Sequence, residues 1–409
     1  MNIALTTIGS RGDIQPYIAL GTALQDNGHD VAIVTHPWAA ELLSSYSLRH
    51  IPVGNDIDIH VAAKRFVQNP AGNIKGLLFA LNFIFTQLRE CHPDILKALK
   101  NFDLVIGHGI AGNSEADMLN KPFVSVSFET MGLQKEYLRT KNLIKEFGMY
   151  AGDKLKGLLF GGPYKKFRKE IGAPPLHAIK DFPYLALVPV SPQIQKPDPY
   201  WKPVTEITGY FLADIPTSFT PPKELTDFIR SGEKPLFITF GSMFHDPVQT
   251  RKVFGAVVDA VRRSDSRAIL LMADLNIEKV TIPENIFPVK SIPYPWLLRH
   301  VNMVIHHFGF GTTAEVLHSG LPSVPIPHIF DQSIRANQLF QLGLAHKPIR
   351  LKTLTSQKLT TAIAKVKSDK ELNLKCDNMG KRIASEDGIA RAIELINDFS
   401  AKLNQECVP

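Results

Sequence analysis

Short apolar runs alternate along this chain with segments whose apolar residues fall at helical spacing. The run NIALTTIG (residues 2–9) leads through SRGD to Ile14, Tyr17, Ile18, Gly21 and Leu24, three or four residues apart and so on one helix face. Gly28 ends that helix, and DVAIVTH (30–36) predicts the next strand. Strand, tight loop, helix and strand make a βαβ unit. FDLVIGH (102–108) and PFVSVSF (122–128) continue the pattern. Fully apolar strands alternating with helices imply a parallel sheet covered on both faces.

Prolines then crowd between Pro189 and Pro222, in VPVSPQIQKPDPYWKPV (188–204) and SFTPP (218–222), a composition that breaks helices and marks a connection between domains. After it the pattern restarts. PLFITFGSMFHD (235–246) echoes IALTTIGSRGD (3–13): an apolar strand, Gly then Ser, and an Asp soon after. A helix over 247–263, the strands AILLMA (268–273) and NMVIHH (302–307), the helix TTAEVLHS (312–319) closed by Gly320, and the strand SVPIP (323–327) follow. A last helix spans roughly 387–403, with Ile389, Ala392, Ile393, Leu395 and Ile396 apolar. The expected architecture is α/β, two doubly wound domains over 1–215 and 216–382 facing a cleft, with 383–409 a helix crossing back to the first domain. Ligands are expected at the carboxyl ends of the strands.

Composition narrows the classes. The 409 residues exceed what one core serves, and 44% apolar with 21% charged residues is ordinary for a globular chain. The net charge of +7 comes without a dense Lys/Arg block interleaved with aromatics, which disfavours nucleic acid. That charge suits an ordinary surface as well as a weak peripheral attraction to anionic membrane. Cys91, Cys376 and Cys407 are too few and too scattered for a disulfide scaffold or structural zinc, which points to a reducing compartment. The N-terminus lacks the basic start of a signal peptide, and the apolar stretch GLLFALNFIF (76–85) is about half the length of a membrane span. A cytoplasmic protein is expected.

Candidate chemistry centres on HHFGFGTTAE (306–315). Adjacent histidines in a strand point to opposite faces and cannot share a metal ion. His307, at the strand end, is the better placed for a loop site, and His306 reads as structural. Gly309 and Gly311 allow a tight turn and close approach to a ligand. Thr312 and Thr313 then fall on the first turn of a helix, whose free N–H groups attract anions. This reads as a diphosphate cradle, or else as a threonine-capped turn. Asp331 and Gln332, beyond the next strand, suit a pair of vicinal hydroxyls, with a helix cap the less favoured reading of Asp331. Asp13 at the end of the first strand and near a helix start is either a carboxylate facing the cleft or an N-cap. His108 is its partner, with either of the two the base, or a structural histidine. The helix IKGLLFALNFIFTQL (74–88) is core or the wall of an apolar acceptor site. Asp56 and Asp58 read as a solvated turn.

The segment HHFGFGTTAEVLHSGLPSVPIPHIFDQSIRANQLFQLG (306–343) is similar to the nucleotide-sugar signature of family 1 glycosyltransferases of the GT-B fold. GSRGDIQPYIALGTALQDNGHDVAIVTH (9–36) resembles the N-terminal signature of their sterol and antibiotic branch. The resemblance implies two Rossmann-like domains and inverting, metal-independent transfer from a nucleotide sugar, foremost UDP-glucose, to a lipophilic hydroxyl. It implies that His307 meets the β-phosphate, that Thr312, Thr313 and the Gly311 backbone hold the α-phosphate, and that Ser242 is a second diphosphate contact. Glu315 would bind ribose, Asp331 and Gln332 the sugar hydroxyls, and Asp13 would stand where plant members carry a histidine base. Ser291 stands where plant members stack a tryptophan on uracil, and Trp296 reads as a packed helix residue. Phe308 and Phe310 replace the small residues of the antibiotic branch. Alternatives are a TDP-deoxysugar transferase, such as a rhamnosyltransferase, and a non-catalytic nucleotide-sugar-binding partner.

Overall fold

The computed structural model describes residues 1–56, 74–128, 161–175, 184–197, 205–241, 247–272 and 282–406. The chain divides into two compact units, one built on Met1–Ile57, Leu78–Ala213 and Glu386–Pro409, the other on Asp58–Leu77 and Asp214–Ser385.

In the first unit seven strands form one sheet: β1 (Asn2–Thr6), β2 (Asp30–Thr35), β3 (Arg49–Pro52), β4 (Leu104–His108), β5 (Phe123–Val126), β6 (Tyr184–Val188) and β7 (Thr205–Ile207). All its pairings are parallel, in the order β3-β2-β1-β4-β5-β6-β7, and Leu5 is flanked by Ile33 and Ile106. Ile3, Ala4, Leu5 and Val31 to Val34 are fully buried. Strands covered on both faces have no polar side to show, which explains their unbroken apolar runs. Among the described residues they are accompanied by α1 (Arg11–Asp26), α2 (Ala40–Ser44), α3 (Ile74–Leu99), α4 (Asn113–Met118) and α5 (residues 161–170). Helix α1 buries Ile14, Tyr17, Ile18, Leu20 and Leu24, and Gly28 beyond its end takes φ +82, the left-handed conformation that stops a helix. Helix α3 buries Leu81, Phe85, Leu88, Cys91, Ile95 and Leu99 while Leu78 and Ile84 stay exposed. Its core reading holds, and Leu78 and Ile84 are large apolar residues left in water.

In the second unit the order is β10-β9-β8-β11-β12, again with parallel pairings, from β8 (Leu236–Thr239), β9 (Ala268–Leu271), β10 (Ile286–Val289), β11 (Met303–His306) and β12 (Ser323–Pro325). Its helices are α6 (Lys223–Arg230), α7 (Pro247–Arg263), α8 (Tyr294–Leu297), α9 (Phe310–His318), α10 (Phe330–Gln341), α11 (Ser356–Ser368) and α12 (Lys370–Ala384). Leu225, Phe237, Ile269, Leu297, Val304 and Val316 belong to one apolar cluster beneath them. Helix α13 (Gly388–Glu406) closes the chain and belongs to the first unit, where it packs on α1 and β6. No described helix is long and apolar enough to cross a membrane.

Strand order decides where each unit can hold a ligand. In the first sheet the succession reverses between β1 and β4, and in the second between β8 and β11. Loops leaving neighbouring strands on opposite sides open a crevice at the carboxyl ends of such a pair. Asp13 follows β1 and His108 ends β4; Gly241 follows β8 and His307 follows β11.

Candidate active site

At the first switch point Ser10 caps α1 and Asp13 is the third residue of the helix. Asp13 is thus not the N-cap. Its Oδ2 accepts hydrogen bonds from the Ser10 N–H (2.6 Å) and the Ser10 hydroxyl (2.9 Å), the return half of a capping box. Gly9 permits this, since a Cβ there would collide with the Asp13 carboxylate. The other oxygen, Oδ1, lies 4.0 Å from His108 Nδ1. That distance is too long for a hydrogen bond and short enough for strong electrostatic influence. The His108 ring packs 4.7 Å from Phe128 and 6.2 Å from Tyr17. Burial lowers the His108 pKa, and the Asp13 charge opposes that shift. The two groups that sequence reasoning brought together do stand side by side, with Tyr17 and Phe128 as an apolar backing it did not name.

At the second switch point His307 is 7% exposed and His306 fully buried. His306 stacks on Phe308 at 4.2 Å and accepts its backbone N–H at Nδ1, a structural role. The His307 ring is wedged between two glycine backbones, because a Cβ at Gly241 or at Gly309 would strike it. Its Nδ1 makes no hydrogen bond of good geometry, although the Thr239 backbone acts on the ring. Burial lowers its pKa to about 4, with the Thr239 backbone opposing the shift and the Arg335 charge adding to it, so the ring is neutral at pH 7. His328 lies 6.2 Å away and is lowered to about 3 by burial.

The turn differs from its sequence reading in one respect. Gly309 caps α9 at φ −60, and the left-handed residue is Phe308 at φ +66. Gly309 is needed for the space its hydrogen leaves to His307, and the strain of about 1–2 kcal/mol falls on Phe308. Nothing lies within 4 Å of the position a Cβ would take at Gly311, so the first turn of α9 is open there. Thr313 is buried and donates its hydroxyl to the Gly309 carbonyl at 2.8 Å, which spends its proton inside the helix and leaves Thr312 as the more accessible hydroxyl. Glu315 is buried on the same helix, and desolvation, with the Asp214 charge adding to it, raises its carboxyl pKa to about 8.

Gln332, rather than Asp331, caps α10. Its Oε1 accepts the N–H groups of His328 (2.8 Å) and Ile329 (3.2 Å), leaving the amide NH₂ as its remaining donor. Asp331 pairs with Arg335 at 3.6 Å. Arg335 also donates to the Phe308 carbonyl at 2.6 Å, a link that no motif announced. Ser291 is exposed beyond β10, and Trp296 packs 5.7 Å from Phe219 and 4.7 Å from His300. Ser242 and Asp58 lie outside the described residues; Asp56 is exposed.

Comparison with known proteins fits this arrangement. A family model for the glycosyltransferase family 28 N-terminal domain matches residues 3–105, and one for the erythromycin biosynthesis protein CIII-like C-terminal domain matches 255–394. The first match contains Asp13, and the second contains His307 to Arg335. The chain has the GT-B fold of glycosyltransferases. It is 30% identical, over 96% of its length, to a sterol 3-beta-glucosyltransferase of Pichia angusta, and it spans 33% of that enzyme's length. It is 26% identical to the O-mycaminosyltylonolide 6-deoxyallosyltransferase of Streptomyces fradiae, with 98% of each chain covered. The solved spinosyn forosaminyltransferase SpnP shares the GT-B fold at a TM-score of 0.71, covering 98% of this chain and 99% of its own at 17% identity.

Proposed function

We propose that this GT-B chain is an inverting hexosyltransferase that moves glucose from UDP-glucose onto a hydroxyl of a lipophilic small molecule such as a sterol, polyketide, flavonoid or lipid. The observation that carries the reading is His307, a buried neutral imidazole whose Nδ1 makes no hydrogen bond of good geometry, at the head of α9 beside an open helical turn. A buried polar atom left unpaired is costly, and a diphosphate oxygen would satisfy it together with the helix N-terminus.

In this mechanism Asp13 takes the proton of the acceptor hydroxyl as its oxygen attacks the anomeric carbon. His108 orients or shares that proton. The bond from carbon to the diphosphate oxygen breaks with inversion, and the electron pair leaves on the diphosphate. His307, Thr312, the Gly311 backbone and Ser242 stabilise the departing charge, which is the electrostatic part of the catalysis and needs no divalent metal. Thr313 contributes through the backbone it holds. Asp331 and the amide of Gln332 bind the sugar hydroxyls, and the neutral Glu315 carboxyl meets the ribose. Residues 1–215 take the acceptor and 216–382 the donor. The reaction is cytoplasmic and the partners are these two small molecules.

A TDP-deoxysugar donor is the second reading. It is favoured by Ser291, where plant members carry tryptophan, and by the Streptomyces fradiae relative, whose name is that of a deoxysugar transferase. Calorimetric titration with UDP, TDP, UDP-glucose and TDP-glucose, without metal and beside His307→Ala, tests both. Binding of UDP that the variant loses supports the first reading, and preference for TDP supports the second. If no nucleotide binds, the cradle is only a turn.

A further inference from the structure

Four described non-glycine residues take positive φ: Ser47, Asn120, Asp265 and Phe308. The first three sit in turns just beyond helices. Phe308 is different, a fully buried aromatic inside the proposed cradle, where the left-handed backbone is strained and persists only if its surroundings enforce it. Two of the enforcing contacts come from His306, by stacking and by accepting the Phe308 N–H. The third comes from the next helix. Arg335 Nη1 donates to the Phe308 carbonyl at 2.6 Å, its guanidinium lies 5.5 Å from the centroid of the Phe310 ring, and Nη1 is 3.6 Å from Asp331 Oδ2.

One partly buried cation therefore ties together the turn that presents His307, the first residue of α9 and the carboxylate assigned to the sugar. Only arginine has a planar fork with enough donors to reach a carbonyl and a carboxylate at once while lying over a ring. A lysine offers a single flexible point charge.

We propose that Arg335 is a positioning residue of the donor site. It holds the Phe308 carbonyl so that the left-handed turn keeps His307 and Gly309 in place, and it fixes the Asp331 carboxylate for the transferred sugar. This rests on the donor-site reading above and adds to it a residue outside the motif that suggested that reading. Two consequences separate it from mere packing. Loss of Arg335 must weaken a diphosphate more than a ligand without phosphates, and must weaken the nucleotide sugar more than the nucleotide.

The experiment is calorimetric titration of the wild-type chain, Arg335→Gln, Arg335→Lys and the exposed-charge control Arg262→Gln with uridine, UDP and UDP-glucose, or with the thymidine set if the wild type prefers it. Thermal melts are recorded beside each titration. Arg335→Gln is expected to weaken the nucleoside diphosphate about tenfold, the scale of one charge-assisted hydrogen bond, with a larger loss for the nucleotide sugar and none for the nucleoside. Arg335→Lys should recover the diphosphate in part and leave the extra loss on the sugar. The control should bind as wild type does.

Unchanged diphosphate affinity in Arg335→Gln, or an equal loss for nucleoside and diphosphate, overturns the proposal while the donor site stands. Should Arg335→Gln not fold, Arg335→Lys decides: a wild-type ratio between nucleotide sugar and nucleotide overturns it. A wild-type chain that binds neither diphosphate removes the donor-site reading itself, and Arg335's role with it.

Discussion

Asp13 divides its carboxylate between architecture and chemistry. Oδ2 is committed to Ser10, and Oδ1 points at His108. The division makes Asp13→Asn an informative substitution. An amide oxygen can still accept the Ser10 N–H, so α1 keeps its cap and the protein its melting temperature. What an amide cannot do is take a proton. Glucosyl transfer to a sterol or macrolide acceptor should fall by about 10²–10⁴-fold, the usual contribution of a positioned general base. An active, fully folded Asp13→Asn protein would show that the cap is all this residue provides. His108, with its pKa lowered by burial, stays neutral near pH 7 and so remains able to accept a proton.

Elements made by local pattern were the legible ones. The strands around Ile3, Val31, Val105, Val124, Phe237, Ile269 and Val304 announced themselves because buried parallel strands carry unbroken apolar runs, and α7 runs over Pro247–Arg263 as its spacing predicts. Strand β10 hides a proline, Pro288, inside four residues, and β6 and β7 flank proline-rich sequence, so neither pattern is visible locally. Phe308 is the sharpest case, since no local preference puts an aromatic residue in a left-handed turn and only His306 and Arg335 do so through space. Helix α9 hides a further property. Its Glu315 carboxyl, raised from 4.5 to about 8, keeps in the folded chain a proton that the unfolded chain has already released. The folded state binds the extra proton between those two values, so this group's contribution to stability is full below the lower one and is lost as pH rises toward the upper. Urea midpoints measured from pH 5 to 8 should therefore decline through that window, and Glu315→Gln, which cannot ionise, should flatten the decline. A slope that Glu315→Gln leaves untouched would mean that the carboxyl titrates normally.

At the scale of the whole molecule, each unit owns a sheet and a core, but the first is completed only by the last segment of the chain. Helix α13 buries Ala392, Ile393, Ile396 and Phe399 in that unit, and Glu386 just ahead of it accepts the Ser191 hydroxyl at 2.8 Å. Gly388 lies so close to the Gly209 backbone that a Cβ there would stand 2.5 Å from it. Burying an Ile or Phe side chain is worth roughly 1.5–3 kcal/mol, so removing the helix strips the first unit of several kcal/mol and leaves an apolar face over α1 and β6 in water. The described donor-cradle residues, His307 to Arg335 with Gly241, all fall within Asp214–Ser385. Ending the chain after Ser385 should thus lower the stability of the first unit and abolish transfer, yet leave UDP binding measurable. Differential scanning calorimetry of the truncated chain, with and without UDP, reads both effects. If UDP no longer stabilises what remains folded, the donor site depends on more than the second unit supplies. If the first unit melts as before, α13 contributes little to its core.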